Sequence, residues 1–256
     1  ANYDRLYSIS VNSLNGTVTI TDNKTEAIAN ENISFTITPE ENYRIESVSI
    51  NNGSVEYTQD ENTYSFTMPA GDIEITVVYN VEYAITIDTN SSEYIQIEKQ
   101  KAIEGEQVEF KVLVRDGYRI DEVKYNDMSL QSETNTYSFN MPAENVTIVV
   151  TYVQQFEVSL ASNVELENSI DKSEIKDIGS SIEFTVPTIT TGADGNSYRL
   201  IGLKHEDSSD LIEVDDSEKY SFTLTSETAG RYTAIYEREY AVNVASDSKD
   251  IITPKV

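Results

Sequence analysis

The chain has 256 residues, no cysteine, one histidine and a formal net charge of −27, from 45 acidic and 18 basic side chains. That charge argues against nucleic acid and anionic membrane surfaces as partners. The missing cysteines exclude disulfides, thiolate metal sites and cysteine nucleophiles, and the lone His205 leaves a Ser/His/Asp triad as the one histidine constellation possible on paper.

An apolar share of 38% is low for a globular chain, yet 17 Tyr and 7 Phe mark a folded one with thin cores. No run approaches the roughly 20 apolar residues of a membrane helix. Ala1-Asn2-Tyr3 does not read as a signal peptide, so the expectation is a mature or excised soluble segment.

Along the chain, one order of elements recurs. An aromatic-led alternating strand at 7–11 is followed by Leu14-Asn15-Gly16-Thr17, a second alternating strand at 33–37, Tyr43-Arg44-Ile45, Asn51-Asn52-Gly53 and Tyr64-Ser65-Phe66. Met68-Pro69 then leads into a last strand ending at Tyr79. The order repeats from Tyr83, through 108–112, Tyr118-Arg119-Ile120 and Tyr137-Ser138-Phe139, to Met141-Pro142 and Tyr152. Residues 64–79 and 137–152 align without a gap and share nine of sixteen positions. A drifted third copy runs from Phe156 through 182–186, Tyr198-Arg199-Leu200 and Tyr220-Ser221-Phe222 to Tyr236, with Thr225 where the proline stood. A fourth aromatic-led start stands at 240–244.

Period-two alternation of Val, Ile, Tyr, Phe and Thr predicts half-buried strands. The Asn-Gly steps predict type I′ hairpins, and Asn42, Gly117 and Ser197, each preceding a Tyr-Arg pair, mark tight turning. Proline has no N–H for a ladder, so Pro69 and Pro142 mark breaks, with Met68 and Met141 plugging the core beneath and Thr225 making another corner. The best helix candidate, residues 170–178 before Gly179, is short enough to be a single turn or nothing.

The expected fold is all-β: a tandem array of three small antiparallel modules, β-sandwich-like, with a β-grasp-like arrangement carrying a short helix as the alternative. The modules span 1–81, 82–154 and 155–238. Residues 239–256 are either the first strand of a fourth repeat or a C-terminal edge strand. Links of a few residues predict a semi-rigid elongated rod. The charge divides as −9, −7 and −10 over the modules and −1 over the remainder, which keeps the array soluble through mutual repulsion.

The ordered markers, above all Met68-Pro69 and Met141-Pro142 before an Ile/Val-rich strand, resemble the divergent internalin-type B-repeat of large bacterial surface proteins. The likeness is strong for the first two repeats and weak for the third. Members usually carry a tryptophan soon after the Gly-Tyr element, and here Val48, Val123 and Leu203 stand in that neighbourhood. The resemblance implies a secreted or wall-anchored protein of a Gram-positive-type bacterium, with stalk or adhesion modules, and it does not imply a catalytic residue.

The chemistry-bearing candidates are few. His205 sits in Lys204-His205-Glu206-Asp207 and reads as a solvated loop histidine. Asp207, Asp210, Asp215 and Asp216 are weak calcium candidates whose spacing does not match an EF-hand loop, and Asp194-Gly195-Asn196 is a second weak one. Tyr57, Tyr94 and Tyr125 fall outside the shared strand pattern and are the candidate exposed aromatics for a sugar or protein. Tyr43, Tyr118 and Tyr198, like Tyr64, Phe66, Tyr137, Phe139, Tyr220 and Phe222, recur in a way that favours a structural job, the Tyr-Arg pairs as turn braces or contacts between repeats. The function expected is a non-enzymatic, cofactor-free stalk or adhesion module. The alternative is a carbohydrate- or protein-binding module, or an accessory domain of an extracellular enzyme. Its partners would be a host or bacterial surface protein or a glycan, and the chain would be monomeric with edge strands as the route to self-association.

Overall fold

The computed structural model describes residues 4–88, 90 and 92–241 and is all-β. It divides into two compact units, Ala1–Leu113 with Glu122–Thr151, and Val114–Asp121 with Tyr152–Val256. The reading of a strand at 240–244 falls almost wholly outside the described residues.

In the first unit the opening repeat forms β1 (Leu6–Ser13), β2 (Gly16–Ile20), β3 (Glu26–Ile28), β4 (Asn32–Pro39), β5 (Tyr43–Ile50), β6 (Tyr57–Asp60), β7 (Thr63–Thr67) and β8 (Ile73–Ile87). Two sheets result, β3-β1-β8-β5 and β2-β4-β7-β6. Alternation puts Ile33, Phe35 and Ile37 of β4 and Ile73, Ile75 and Val77 of β8 into the core between them. Phe35 stacks on Tyr64 at 5.2 Å and meets Phe66 edge-on at 6.3 Å. Most pairings are antiparallel, but β1 lies parallel to β8, because the chain crosses to the second sheet and back before it returns.

β8 does not stop at the end of its repeat. Ile73–Ile87 is one strand of 15 residues, whose first part pairs with β1 and β5 and whose last part pairs with β10 (Lys101–Ile103) and β15 (Val146–Ser162) of the second repeat. The residues between Tyr79 and Tyr83, read as a short link, are therefore strand. The second repeat completes its sheets with β9 (Ile95–Ile97), β11 (Gln107–Val112) and β14 (Thr136–Asn140) on one side, and β12 (Tyr118–Tyr125) and β13 (Met128–Leu130) beside β15 on the other.

The second unit holds the third repeat. The C-terminal part of β15 pairs with β16 (Lys172–Asp177) and, in parallel, with β22 (Gly230–Arg238). β19 (Ser197–His205) pairs with β22, β18 (Ile189–Thr191) and β20 (Leu211–Ile212), while β17 (Ser181–Thr185) pairs with β21 (Lys219–Thr223). Among the described residues that second sheet has two strands, and Tyr220 and Phe222 on it are half-buried where Tyr64, Phe66, Tyr137 and Phe139 are buried.

One backbone clasp recurs in all three repeats. Asn30, Gly105 and Gly179, all at positive φ, donate their N–H to the carbonyls of Met68, Met141 and Leu224 at 2.8 Å. Met68, Met141 and Leu224 in turn donate their own N–H to the carbonyls of Glu31, Glu106 and Ser180. Their side chains are almost wholly buried, so an apolar plug is fixed through its own main chain. Pro69 and Pro142 follow immediately and are half-buried, at a point where no ladder needs an N–H. At Thr225 the chain turns instead through its N–H and hydroxyl, both bonded to the Thr228 hydroxyl.

Three sequence expectations change. Residues 170–178 contain no helix; β16 forms there, held by its ladder to β15 over six residues, with Ile175 65% exposed. Asn15-Gly16 is no hairpin, since β1 and β2 lie in different sheets and Gly16 does not have positive φ. Glycine is needed there for space: a Cβ would lie 2.3 Å from the Tyr79 hydroxyl and 2.9 Å from the Thr38 carbonyl oxygen. Asn42 and Gly117 do take positive φ before their Tyr-Arg pairs, whereas in the third repeat Gly195 does so and Ser197 is already strand.

Gly16→Ala should therefore destabilise the first repeat by about 1–3 kcal/mol through overpacking. Gly71→Ala, where an added Cβ meets nothing, should change stability by less than about 0.5 kcal/mol. Urea unfolding followed by circular dichroism compares the two.

Candidate functional site

The Tyr-Arg pairs open β5 and β12 and follow Ser197 at the start of β19, and their tyrosines Tyr43, Tyr118 and Tyr198 are half-buried. The carbonyl just before each pair accepts a main-chain bond from the residue that precedes the next aromatic-led start: Glu82 N–H to Asn42, Gln155 N–H to Gly117 and Glu239 N–H to Ser197, all at 2.8 Å. The arginines add charge to this tie. Arg44 pairs with Glu82 at 3.3 Å and with Glu106, which also takes the Lys99 ammonium at 2.7 Å. Arg119 forks onto both oxygens of Asp177 at 2.7–3.0 Å and reaches Asp121 at 2.9 Å, while the Gln155 amide donates to Asp177 at 3.0 Å. Arg199 pairs with Glu239 through Nε at 2.7 Å.

Glu106 lies at the corner after β10 of the second repeat, so Arg44 joins the first two repeats within the first unit, whereas Arg119 and Asp177, the last residue of β16, both belong to the second unit. The Lys99 and Arg44 hydrogen bonds hold the Glu106 carboxyl at about 2. Arg119 keeps Asp177 below the usual carboxylate range, helped by Gln155. All of these side chains are partly exposed, so each pair is worth about 1 kcal/mol or less.

His205 is not a loop residue. It ends β19 and is 7% exposed, seven positions after its tyrosine, where Ile50 and Tyr125 end β5 and β12. Its ring lies 4.8 Å from that of Tyr232. Only a protonated nitrogen can donate to the Ala229 carbonyl, so Nε2–H makes that bond at 2.8 Å, and Nδ1 accepts the Asp207 N–H at 3.3 Å. The next position is equally regular: Asn51, Asn126 and Glu206 side-chain oxygens accept the N–H of Glu74, Thr147 and Arg231. Counting from the Tyr-Arg pair would have found both sites.

The acids near it serve turns. The ligand atoms of His205, Glu206 and Asp207 lie within 4.8 Å of one another, but both histidine nitrogens are engaged by main chain. Asp207, Asp210, Asp215 and Asp216 are exposed. Asp215 accepts from the Ser217 N–H and hydroxyl, which lower its carboxyl, and Asp210 accepts from Ser209 at 3.4 Å. Asp194 is taken up by Asn196 and the Tyr198 hydroxyl.

The candidate aromatics separate. Tyr125 stacks on Phe139 with centroids 4.3 Å apart and belongs to the second repeat's packing. Tyr94 is half-buried in a 3-10 turn at Ser92–Tyr94. Tyr57 alone of the three counts as exposed, at 36%, on the outer strand β6.

Comparison with known proteins gives one result. The family model described as a divergent InlB B-repeat domain matches residues 7–82 and again 83–156, more than half of the chain. No curated protein and no solved structure matches it.

Glu106 ties stability to pH. A carboxyl lowered from 4.5 to about 2 stabilises the fold fully above its unfolded value, and that stabilisation is lost as pH falls from about 4.5 towards 2. Glu106→Gln should flatten the pH dependence of the urea midpoint across this window. A double-mutant cycle of Glu106→Gln with Arg44→Gln should give a coupling of about 0.2–1 kcal/mol that shrinks in 0.5 M salt.

Proposed function

The chain belongs to the divergent InlB B-repeat family, and from that premise we propose that it is a non-enzymatic segment of a secreted or cell-surface protein of a Gram-positive-type bacterium, serving as stalk and adhesion module. The observation that carries this reading is the sharing of β8 by two successive repeats. A spacer needs modules that do not swivel on one another. A strand hydrogen-bonded in both modules, with Arg44 bridging them, supplies that coupling without a linker. The spread of acidic charge over every repeat suits an array that stays soluble and does not collapse on itself. The lone histidine spent on packing and the absence of cysteine favour a non-enzymatic role. Its partners in this reading are proteins or glycans of a host or bacterial surface, met by single copies of the chain.

Distance labels test the coupling. The chain has no cysteine, so Glu56→Cys and Asp127→Cys, both at exposed positions, give one label in each of the first two repeats. Electron-spin distance measurement should give a single narrow distribution. Two glycines inserted between Val81 and Glu82 should broaden it. A broad distribution in the chain without the insertion would overturn the spacer reading.

A further inference from the structure

The first repeat departs from the other two at one strand. In the second repeat β13 pairs with β12 over Val123, Lys124 and Tyr125, and in the third β20 pairs with β19. In the first, β6 pairs with β7, so among the described residues β5 carries no ladder on its outer side beyond the single bridge of Ile50 to Val55. The mouth of the sandwich between β5 and β6 is left as a cleft of about 590 Å³, within the range of small-ligand sites.

Tyr43, Ile45 and Val48 line it from β5, and Tyr57, Gln59 and Tyr64 from β6 and β7. Tyr57 is set firmly: its hydroxyl donates to the Val48 carbonyl at 3.3 Å, and its ring lies 5.7 Å from Tyr64, which is itself stacked on Phe35. Glu46 and Asn62 also line the cleft, and among the described residues neither side chain has a hydrogen-bond or ion-pair partner. The remaining wall charges are Arg44 and Glu82, which pair with each other, and Arg44 is engaged again by Glu106.

From this arrangement we propose that the open side of the first repeat binds a neutral oligosaccharide. Tyr57, with the half-buried Tyr43 across the cleft from it, offers ring surface to the C–H face of a pyranose, while the Glu46 carboxylate, the Asn62 amide and the Gln59 amide, which also donates to the Glu61 carbonyl at 3.0 Å, offer acceptors and donors to its hydroxyls. An anionic ligand finds no free cation here and meets Glu46 and Glu82. An extended peptide pairing along β6 meets a four-residue edge that ends in Asp60 and is flanked by Glu56 and Glu61, the charged pattern that blocks edge addition. The proposal deepens the adhesion part of the function above and rests on it. The label-distance experiment needs no ligand, so the two can fail separately.

The full chain should be screened against neutral gluco-, xylo-, manno- and chito-oligosaccharides of four to six units, alongside sulfated and uronic-acid sugars and extended peptides. Binding to a neutral sugar is expected, with little change between 50 and 500 mM salt. Tyr57→Ala should weaken it more than about tenfold, as for an aromatic anchor. Glu46→Gln, a change at an exposed position of β5, should weaken it about three- to tenfold with the fold intact by circular dichroism. Absence of neutral-sugar binding, preference for anionic sugars or peptides, or binding that both variants leave unchanged would overturn the proposal.

Discussion

Everything in the first unit depends on one strand being hydrogen-bonded in two modules at once. In β8, Ile73, Ile75 and Val77 face the first core and Ile85 is buried in the second repeat. All carry odd numbers, so the alternation of sides passes through Asn80, Val81 and Glu82 without a bulge. A strand has period two, and any odd insertion there would turn the second repeat's apolar set to water. Parallel pairing with β1 and antiparallel pairing with β5 then place β8 centrally in its first sheet, and the parallel partner β15 does the same for its continuation. Module identity and module spacing come from the same hydrogen bonds.

The thin cores follow from this economy. Each repeat closes two small sheets over a few aromatics and one plug, and the plug is held by two main-chain bonds whatever its side chain. That is why the third repeat can replace methionine with Leu224 and the following proline with Thr225 and still keep the corner. It is also why the αL residue opposite matters: Asn30, Gly105 and Gly179 supply the turn that aims an N–H at the plug's carbonyl.

Strands with strict alternation, such as β4, β11 and β17, were legible because each apolar residue has a core to face. β16 was not, since its exposed Ile175 and charged neighbours carry no pattern and only its ladder defines it. The continuity of β8 was hidden by Asn80 and Glu82, polar residues that resemble a link. His205 was hidden by Lys204, Glu206 and Asp207; local charge outweighed its count from Tyr198, which puts it where Ile50 and Tyr125 end their strands. The cleft rests on β6, whose four residues all face water, and no local pattern in Tyr57-Thr58-Gln59-Asp60 says whether it joins β7 or β5.

The scarcity of cations gives the arginines their meaning. With 18 basic side chains against 45 acids, the average environment of any surface in this chain is negative. An Asp or Glu at a corner of the next repeat repels most of what approaches it. Arg44 is placed so that the one approach of the first two repeats that is favoured is the one the strands already impose. The pairs are weak singly because they are exposed and screened. Their effect is selective: they add little to the stability of a module and more to the difference between the ordered junction and a displaced one, which would leave acid against acid. The same neutralisation removes positive charge from the cleft beside Arg44, so the contact that orders the junction also makes the neighbouring surface one that anions avoid.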